Sequence, residues 1–197
     1  MDKLTKELIA QVAVANDIEP AALWAVKSVE SGYGDGFYSD GRPIILFEGH
    51  IFYMFLLKRY NTTEIQKLMK QHPTIIYQNW TKKFYKGGIK ECDRLQEAAE
   101  IDREAALQST SWGIFQIMGF NYKQCGCRTI QSFVNKMYKS NESQLQLAVN
   151  FLKSNGYLEL LAKHDWAGFA KKYNGPGYKK NRYDEKLRKA YEEYSAS

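Results

Sequence analysis

Apolar residues recur at helical spacing along most of the chain. Leu4, Leu8, Ile9 and Val12 predict a first amphipathic helix. Pro20 suits a first-turn position, and Ala21 to Ser31 reads as a second helix. Leu23 and Val26 precede Glu30 by seven and four residues, so the three share one helical face. The texture then changes. Gly36 to Phe47 holds Asp40-Gly41, then Pro43 and the run Ile44-Ile45-Leu46-Phe47, which predicts a short β-hairpin or extended excursion with Asp-Gly at its tip. Helical spacing resumes near Gly49 with the stripe Ile51-Phe52 and Phe55-Leu56, and a shorter helix follows near Glu64 to Lys70. A Tyr/Trp-rich stretch punctuated by His72-Pro73 and Gly87-Gly88 has no clear period. Glu91 to Leu107 is alanine-rich at helical spacing, and Ser111 to Met118 is mostly apolar and reads as buried. Asn141 is placed to cap a helix carrying Leu145, Val149 and Leu152. Asp165 is placed to cap another that stops at Tyr173-Asn174-Gly175-Pro176-Gly177, and a final helix carries Tyr183, Leu187, Ala190 and Tyr194. The sum is a mainly α domain, a helical bundle with one small β-hairpin near residues 36–47.

With 197 residues and no linker or repeat, the expectation is a single domain over 1–197 with no room for a separate wall-binding domain. Hydrophobic residues at 44% and charged residues at 25% are ordinary for a globular protein. The fourteen tyrosines suit carbohydrate or protein recognition, since each ring offers apolar area and each hydroxyl a hydrogen bond. Net charge is +6, and from Lys171 to Ser197 eight Lys/Arg stand against four acids. Such a surface attracts nucleic acid, anionic lipid or an anionic wall polymer, and no nucleic-acid motif accompanies it. Cys92, Cys125 and Cys127 form no disulfide framework, and the C-x-C pair lacks a second ligand pair for zinc, so structural thiols and no metal are expected. The N-terminus carries no long apolar stretch, hence no secretory signal, and Ile51 to Leu57 is too short to span a bilayer.

Two carboxylates stand out. Glu30 shares the apolar face of its helix and lies at the C-terminal end; an apolar surround and that end of the dipole both raise a carboxyl pKa. A carboxyl kept protonated near neutral pH is what a general acid requires. The plain alternative is an exposed glutamate at a frayed helix end. Glu48 precedes Gly49-His50 and the next helix, where the dipole favours the anion and should lower its pKa. Two carboxylates pushed apart in this way are a glycosidase arrangement. The alternative for Glu48 is a simple cap bound to backbone or to Arg42. Asp35 and Asp40 are further candidates, though Asp40 has a plain role in its turn. His50 suits a general base or metal ligand, but a lone histidine beside a helix start is more often structural.

Glu30-Ser31-Gly32, then Ser111-Trp112-Gly113-Ile114-Phe115-Gln116-Ile117, then Tyr173-Asn174-Gly175 resemble the lysozyme-like superfamily in its goose-type and lytic transglycosylase branches. The order there is a catalytic glutamate at a helix end, an S-x-G-x-x-Q helix and a late Tyr-Asn pair. More specifically, Asp40-Gly41-Arg42-Pro43, Leu46-Phe47-Glu48-Gly49-His50, Ser109 to Asn121, and Tyr173 to Gly177 with Asn181-Arg182-Tyr183 resemble the N-acetylmuramidase domain of phage endolysins. The resemblance spans about Ala22 to Tyr191.

That resemblance implies a lysozyme-like fold and cleavage of the β-1,4 bond after N-acetylmuramic acid in peptidoglycan, with Glu30 as general acid. It places Gln116, Tyr173 and Asn174 along the saccharide groove, with Ser111 and Gly113 shaping its floor. Glu48 is favoured as the second carboxylate, with Asp40 behind it. The expected partners are glycan strands and, through the basic C-terminal region, anionic envelope polymers. No nucleic acid, membrane insertion, metal or organic cofactor is expected, and the chain should be a monomer. Without a leader it would be made in the host cytoplasm and act on the wall after release, as an endolysin or an injected effector. A lytic transglycosylase that leaves anhydro ends, and a catalytically silent wall-binding module, remain open alternatives at this point.

Overall fold

The computed structural model describes residues 3–31 and 34–196. The first helix, α1 (Lys6–Val14), starts where the Thr5 hydroxyl accepts the Leu8 N–H, and α2 (Pro20–Ser31) begins at the proline whose missing N–H costs nothing in a first turn. Gly32 and Tyr33, in the glycine-rich stretch behind Glu30, lie outside the described residues. The Asp40-Gly41 tip is a tight turn: Tyr38 N–H donates to Arg42 C=O at 2.8 Å, and Gly41 takes φ +84°, which glycine tolerates best. A single bridge joins Phe37 to Pro43 below it.

The strand leaving this turn, β1 (Ile45–Phe47), pairs far along the chain, antiparallel with β2 (Thr110–Trp112), which in turn pairs with β3 (Ile117–Met118). The S-x-G-x-x-Q segment is therefore a β-hairpin, not the helix expected of it. Gly113 takes φ +68° and Gln116 φ +46° in its turn, values that break helical repetition.

Around this sheet stand α3 (Gly49–Leu56), α4 (Thr62–Gln71), α5 (Glu91–Gln108), α6 (Ile130–Met137), α7 (Asn141–Ser154), α8 (Leu158–Ala162), α9 (Trp166–Tyr173) and α10 (Tyr183–Ser195). An Asn61/Glu64 capping box opens α4, and Asp165 caps α9 as its position predicts. The cap of α7 is Ser140 rather than Asn141. The Asn141 side chain is turned inward, where its Oδ1 accepts the Gly36 N–H at 3.2 Å.

Two apolar clusters form the core. The larger gathers Leu23 and Val26 of α2 with the β2–β3 hairpin, α6, α7, α9 and α10; Leu23 and Val26 are fully buried. The smaller gathers Phe47, Phe52 and Leu56 with Ile65, Ile75, Ile76 and the alanines of α5. Each fully buried aliphatic or aromatic side chain contributes roughly 1.5–3 kcal/mol. Strand β1 crosses between them, since Ile45 belongs to the larger cluster and Phe47 to the smaller. Glu30 thus rises from one core and Glu48 from the edge of the other. Cys125 and Cys127 are buried in the larger cluster as free thiols. Among the described residues no helix is long and apolar enough to cross a membrane.

Candidate active site

Glu30 sits in the last turn of α2, half-buried, above fully buried Leu23 and Val26. Burial pushes its carboxyl above the usual carboxylate range. A hydrogen bond from Asn174 Nδ2 to Glu30 Oε1, at 2.9 Å, opposes that shift without cancelling it. The upward direction expected for this carboxyl from the helical pattern is therefore the one the site imposes, with burial as its main cause.

Asn174 is fixed by its own backbone. It follows α9 as the C-cap and its N–H donates to Ala170 C=O at 2.9 Å. Its Oδ1 is buried without a hydrogen-bond partner. Tyr173, one residue earlier, stacks on Phe169 with ring centroids 5.2 Å apart and reaches Phe115 C=O with its hydroxyl at 3.5 Å. Burial, and then the charge of Glu30, push that hydroxyl well above its ordinary pKa, so Tyr173 stays a neutral donor.

Through Phe115 the late Tyr-Asn pair meets the β2–β3 hairpin. Both ends of the Gln116 side-chain amide are engaged there: Nε2 donates to Gly113 C=O at 2.8 Å, and Oε1 accepts from the Ser111 hydroxyl at 2.8 Å. Ser111 lies opposite Leu46 in the β1–β2 ladder. Alternation along the strand places Leu46 and Glu48 on the same face as Ser111. Gly113 has no room for a side chain, since a Cβ there would lie 2.5 Å from Gln144 Oε1. The three separate motifs are thus joined, residue to residue, from Glu30 through Asn174, Tyr173 and the hairpin to β1 and Glu48.

Glu48 is the N-cap of α3, yet its side chain makes no cap hydrogen bond. The carboxylate turns instead to Tyr85, whose hydroxyl donates to Oε2 at 2.7 Å. His50 Nδ1 lies 3.4 Å from the same oxygen, and Glu48 remains 14% exposed, enough for a water to reach it. Arg42, the other partner considered for Glu48, is bound to Asp40. Asp40 stands at the exposed tip of its turn, accepting the Arg42 N–H at 3.1 Å and pairing with Arg42 Nε at 2.7 Å. The backbone N–H of Arg42 in particular holds the Asp40 carboxyl below its usual range. His72 and His164 are paired with Glu97 and Glu19, each at 2.8 Å.

Sequence reasoning missed Tyr85. It sits in the irregular stretch after α4, and a tyrosine-rich composition was the single hint of it. Among the described residues no group of three or more His, Cys, Asp or Glu side chains is placed to hold a metal ion.

The N-acetylmuramidase family model matches residues 19–195, which takes in every element from the Glu30 helix to α10. No curated protein matches the chain. Among solved structures, the crystal structure of Burkholderia AP3 phage endolysin superposes with a TM-score of 0.86 at 37% identity, over 98% of this chain and 72% of the other. The chain belongs to the N-acetylmuramidase family, the glycoside hydrolases that cut the glycan strands of peptidoglycan.

Proposed function

We propose that Glu30 is the general acid and Glu48 the general base of an inverting hydrolysis at C1 of N-acetylmuramic acid. The observation that carries this reading is the half-buried, protonation-prone Glu30 carboxyl held by Asn174. Glu30 delivers its proton to the glycosidic oxygen as the C1–O bond breaks through an oxocarbenium-like state. Glu48 takes a proton from the water whose oxygen forms the new bond to C1, on the opposite face of the sugar. The geometry this requires is a carboxylate separation of roughly 6.5–9.5 Å.

Asn174 suits both states of Glu30. Its Nδ2 donates to the carboxylate left after proton transfer. Rotated by half a turn, its unpartnered Oδ1 can accept the proton of the carboxylic acid. Ser111, Gln116 and Tyr173 shape the groove between the carboxylates, and Asp40 orders the hairpin at its rim. We read the chain as one catalytic unit that acts on the wall as a phage endolysin, in keeping with the solved relative. The eight exposed Lys/Arg between Lys171 and Lys189 draw it to anionic envelope polymers.

Mass spectrometry of fragments released from purified peptidoglycan tests the chemistry. Wild type should give muropeptides ending in reducing N-acetylmuramic acid, and Glu30→Gln should give none. Anhydro ends would replace the water-activating base with attack by the sugar's own 6-hydroxyl and would release Glu48 from its role.

A further inference from the structure

The Glu91–Arg94 pair lies in the first turn of α5 with both side chains 1% exposed and Arg94 Nη1 2.8 Å from Glu91 Oε2. A buried ion pair is weak evidence for stability, because apolar side chains of similar volume often do as well. What distinguishes this pair is where its remaining hydrogen bonds go. Glu91 Oε1 accepts the N–H groups of Lys86 and Gly87 at 2.6 and 3.1 Å, and Oε2 accepts the Phe47 N–H at 3.4 Å. Arg94 Nη1 donates to Phe47 C=O at 3.0 Å and Nη2 to Thr74 C=O at 3.1 Å. The guanidinium also lies over two rings, 5.1 Å from the centre of Phe47 and 5.9 Å from that of Tyr85.

These anchor points surround Glu48. Phe47 precedes it in the chain. Lys86 and Gly87 follow Tyr85, the donor to its carboxylate. Thr74 opens the segment that carries Tyr77, whose hydroxyl accepts the N–H of Gly49, the residue after Glu48, at 3.3 Å. Strand, irregular segment and helix α3 thus meet at one charged centre directly behind the Glu48–Tyr85 hydrogen bond. Arg94 Nε is left buried without a partner, so the pair is not saturated as a purely stabilising network would be.

We infer that Glu91 and Arg94 are positioning residues that hold the Glu48 carboxylate and the Tyr85 hydroxyl in register for water activation. The inference rests on the reading of Glu48 as the base. Neither residue touches substrate. Their effect on rate comes through the backbone on each side of Glu48, and misplacing a catalytic group by about 1 Å can cost on the order of 100-fold.

The test is steady-state kinetics on soluble glycan fragments of peptidoglycan, with thermal unfolding alongside, for wild type, Glu48→Gln and the double variant E91L/R94M. The double variant keeps the buried volume but removes the side-chain partners of the Phe47, Thr74, Lys86 and Gly87 backbone groups, so it should melt below wild type while remaining folded. Its kcat should fall at least ~10-fold while KM moves less than ~3-fold, the split expected when a reacting group is misplaced and glycan contacts are intact. A folded double variant with wild-type kcat, beside an inactive Glu48→Gln, overturns the positioning role and leaves the base intact. An active Glu48→Gln removes the base and the inference with it. Should the double variant fail to fold, Glu91→Gln keeps an oxygen for Lys86 and Gly87 but loses the charge that holds Arg94. An unchanged kcat in that folded variant overturns the inference equally.

Discussion

Asn174 donates a hydrogen bond to Glu30 at 2.9 Å across 144 residues of chain. The contact joins the last turn of one helix to the cap of another, and it is the side-chain interaction that opposes the effect of burial on the Glu30 carboxyl. Several measurable consequences rest on it.

Glu30→Gln should abolish turnover, with a loss of about 10²–10⁴-fold or more for a general acid, while raising the melting temperature at neutral pH. The sign follows from linkage. A carboxyl whose folded pKa lies above its unfolded value binds more protons in the folded state, so stability falls as pH rises from the unfolded pKa through the folded one. Removing the charge relieves that penalty. The stability gain should vanish at pH values below the unfolded carboxylate pKa, and thermal melts at pH 3 and pH 7 check it. A variant destabilised at pH 7 would show that Glu30 is not held against its charge.

Asn174→Ala should move the alkaline limb of the pH–rate profile upward. Burial then acts on Glu30 without the opposing donor, and a general acid loses activity as pH passes its pKa. The rate at the optimum should fall roughly 10-fold through lost orientation. A limb displaced to lower pH would contradict the direction of the Asn174 hydrogen bond.

Tyr85→Phe should lower kcat by about 10-fold with KM nearly unchanged, because the 2.7 Å hydrogen bond fixes one oxygen of Glu48 and nothing on the sugar. Kinetics on soluble glycan fragments separate the two constants. A rise in KM alone would move Tyr85 from the base to the glycan.

Gly113→Ala should destabilise the fold and cut activity together. The backbone sits at φ +68°, which costs about 1–3 kcal/mol for a residue with a side chain, and the added Cβ would meet Gln144 Oε1 at 2.5 Å. Gln144 already accepts the Ile114 N–H at 3.0 Å, so moving it exposes a buried donor. Chemical denaturation of the variant beside wild type reads the loss.

Wall binding should weaken as salt is raised from about 0.05 to about 0.5 M, since a shorter Debye length screens the exposed charges from an anionic polymer. The eight Lys/Arg of the C-terminal region are all exposed, and replacing Lys179, Lys180, Lys186 and Lys189 by Gln should reproduce the salt effect. Binding to cell walls by cosedimentation decides this, and salt-independent binding would sink it.

Most of the helices were legible because their causes are local, while α6 and the short α8 were not read from the sequence. Leu23, Val26 and Glu30 fall on one face by counting residues, Pro20 and Asp165 mark starts, and Tyr183 to Tyr194 repeats at the helical period. Those same spacings placed an acid on an apolar face, and the order of motifs carried the family. Tertiary structure decided what depends on partners distant in sequence. Ile45–Phe47 has the composition of a strand, but its ladder partner Thr110–Trp112 lies more than sixty positions away, and that partner folds back on Ile117–Met118 to make the Ser-x-Gly segment a hairpin. Tyr85, Glu91 and Arg94 lie in or beside a stretch without periodicity, so no pattern could aim them at Glu48. A helical period is written into neighbouring residues. The environment of a carboxylate is set by whichever side chains the whole fold brings to it.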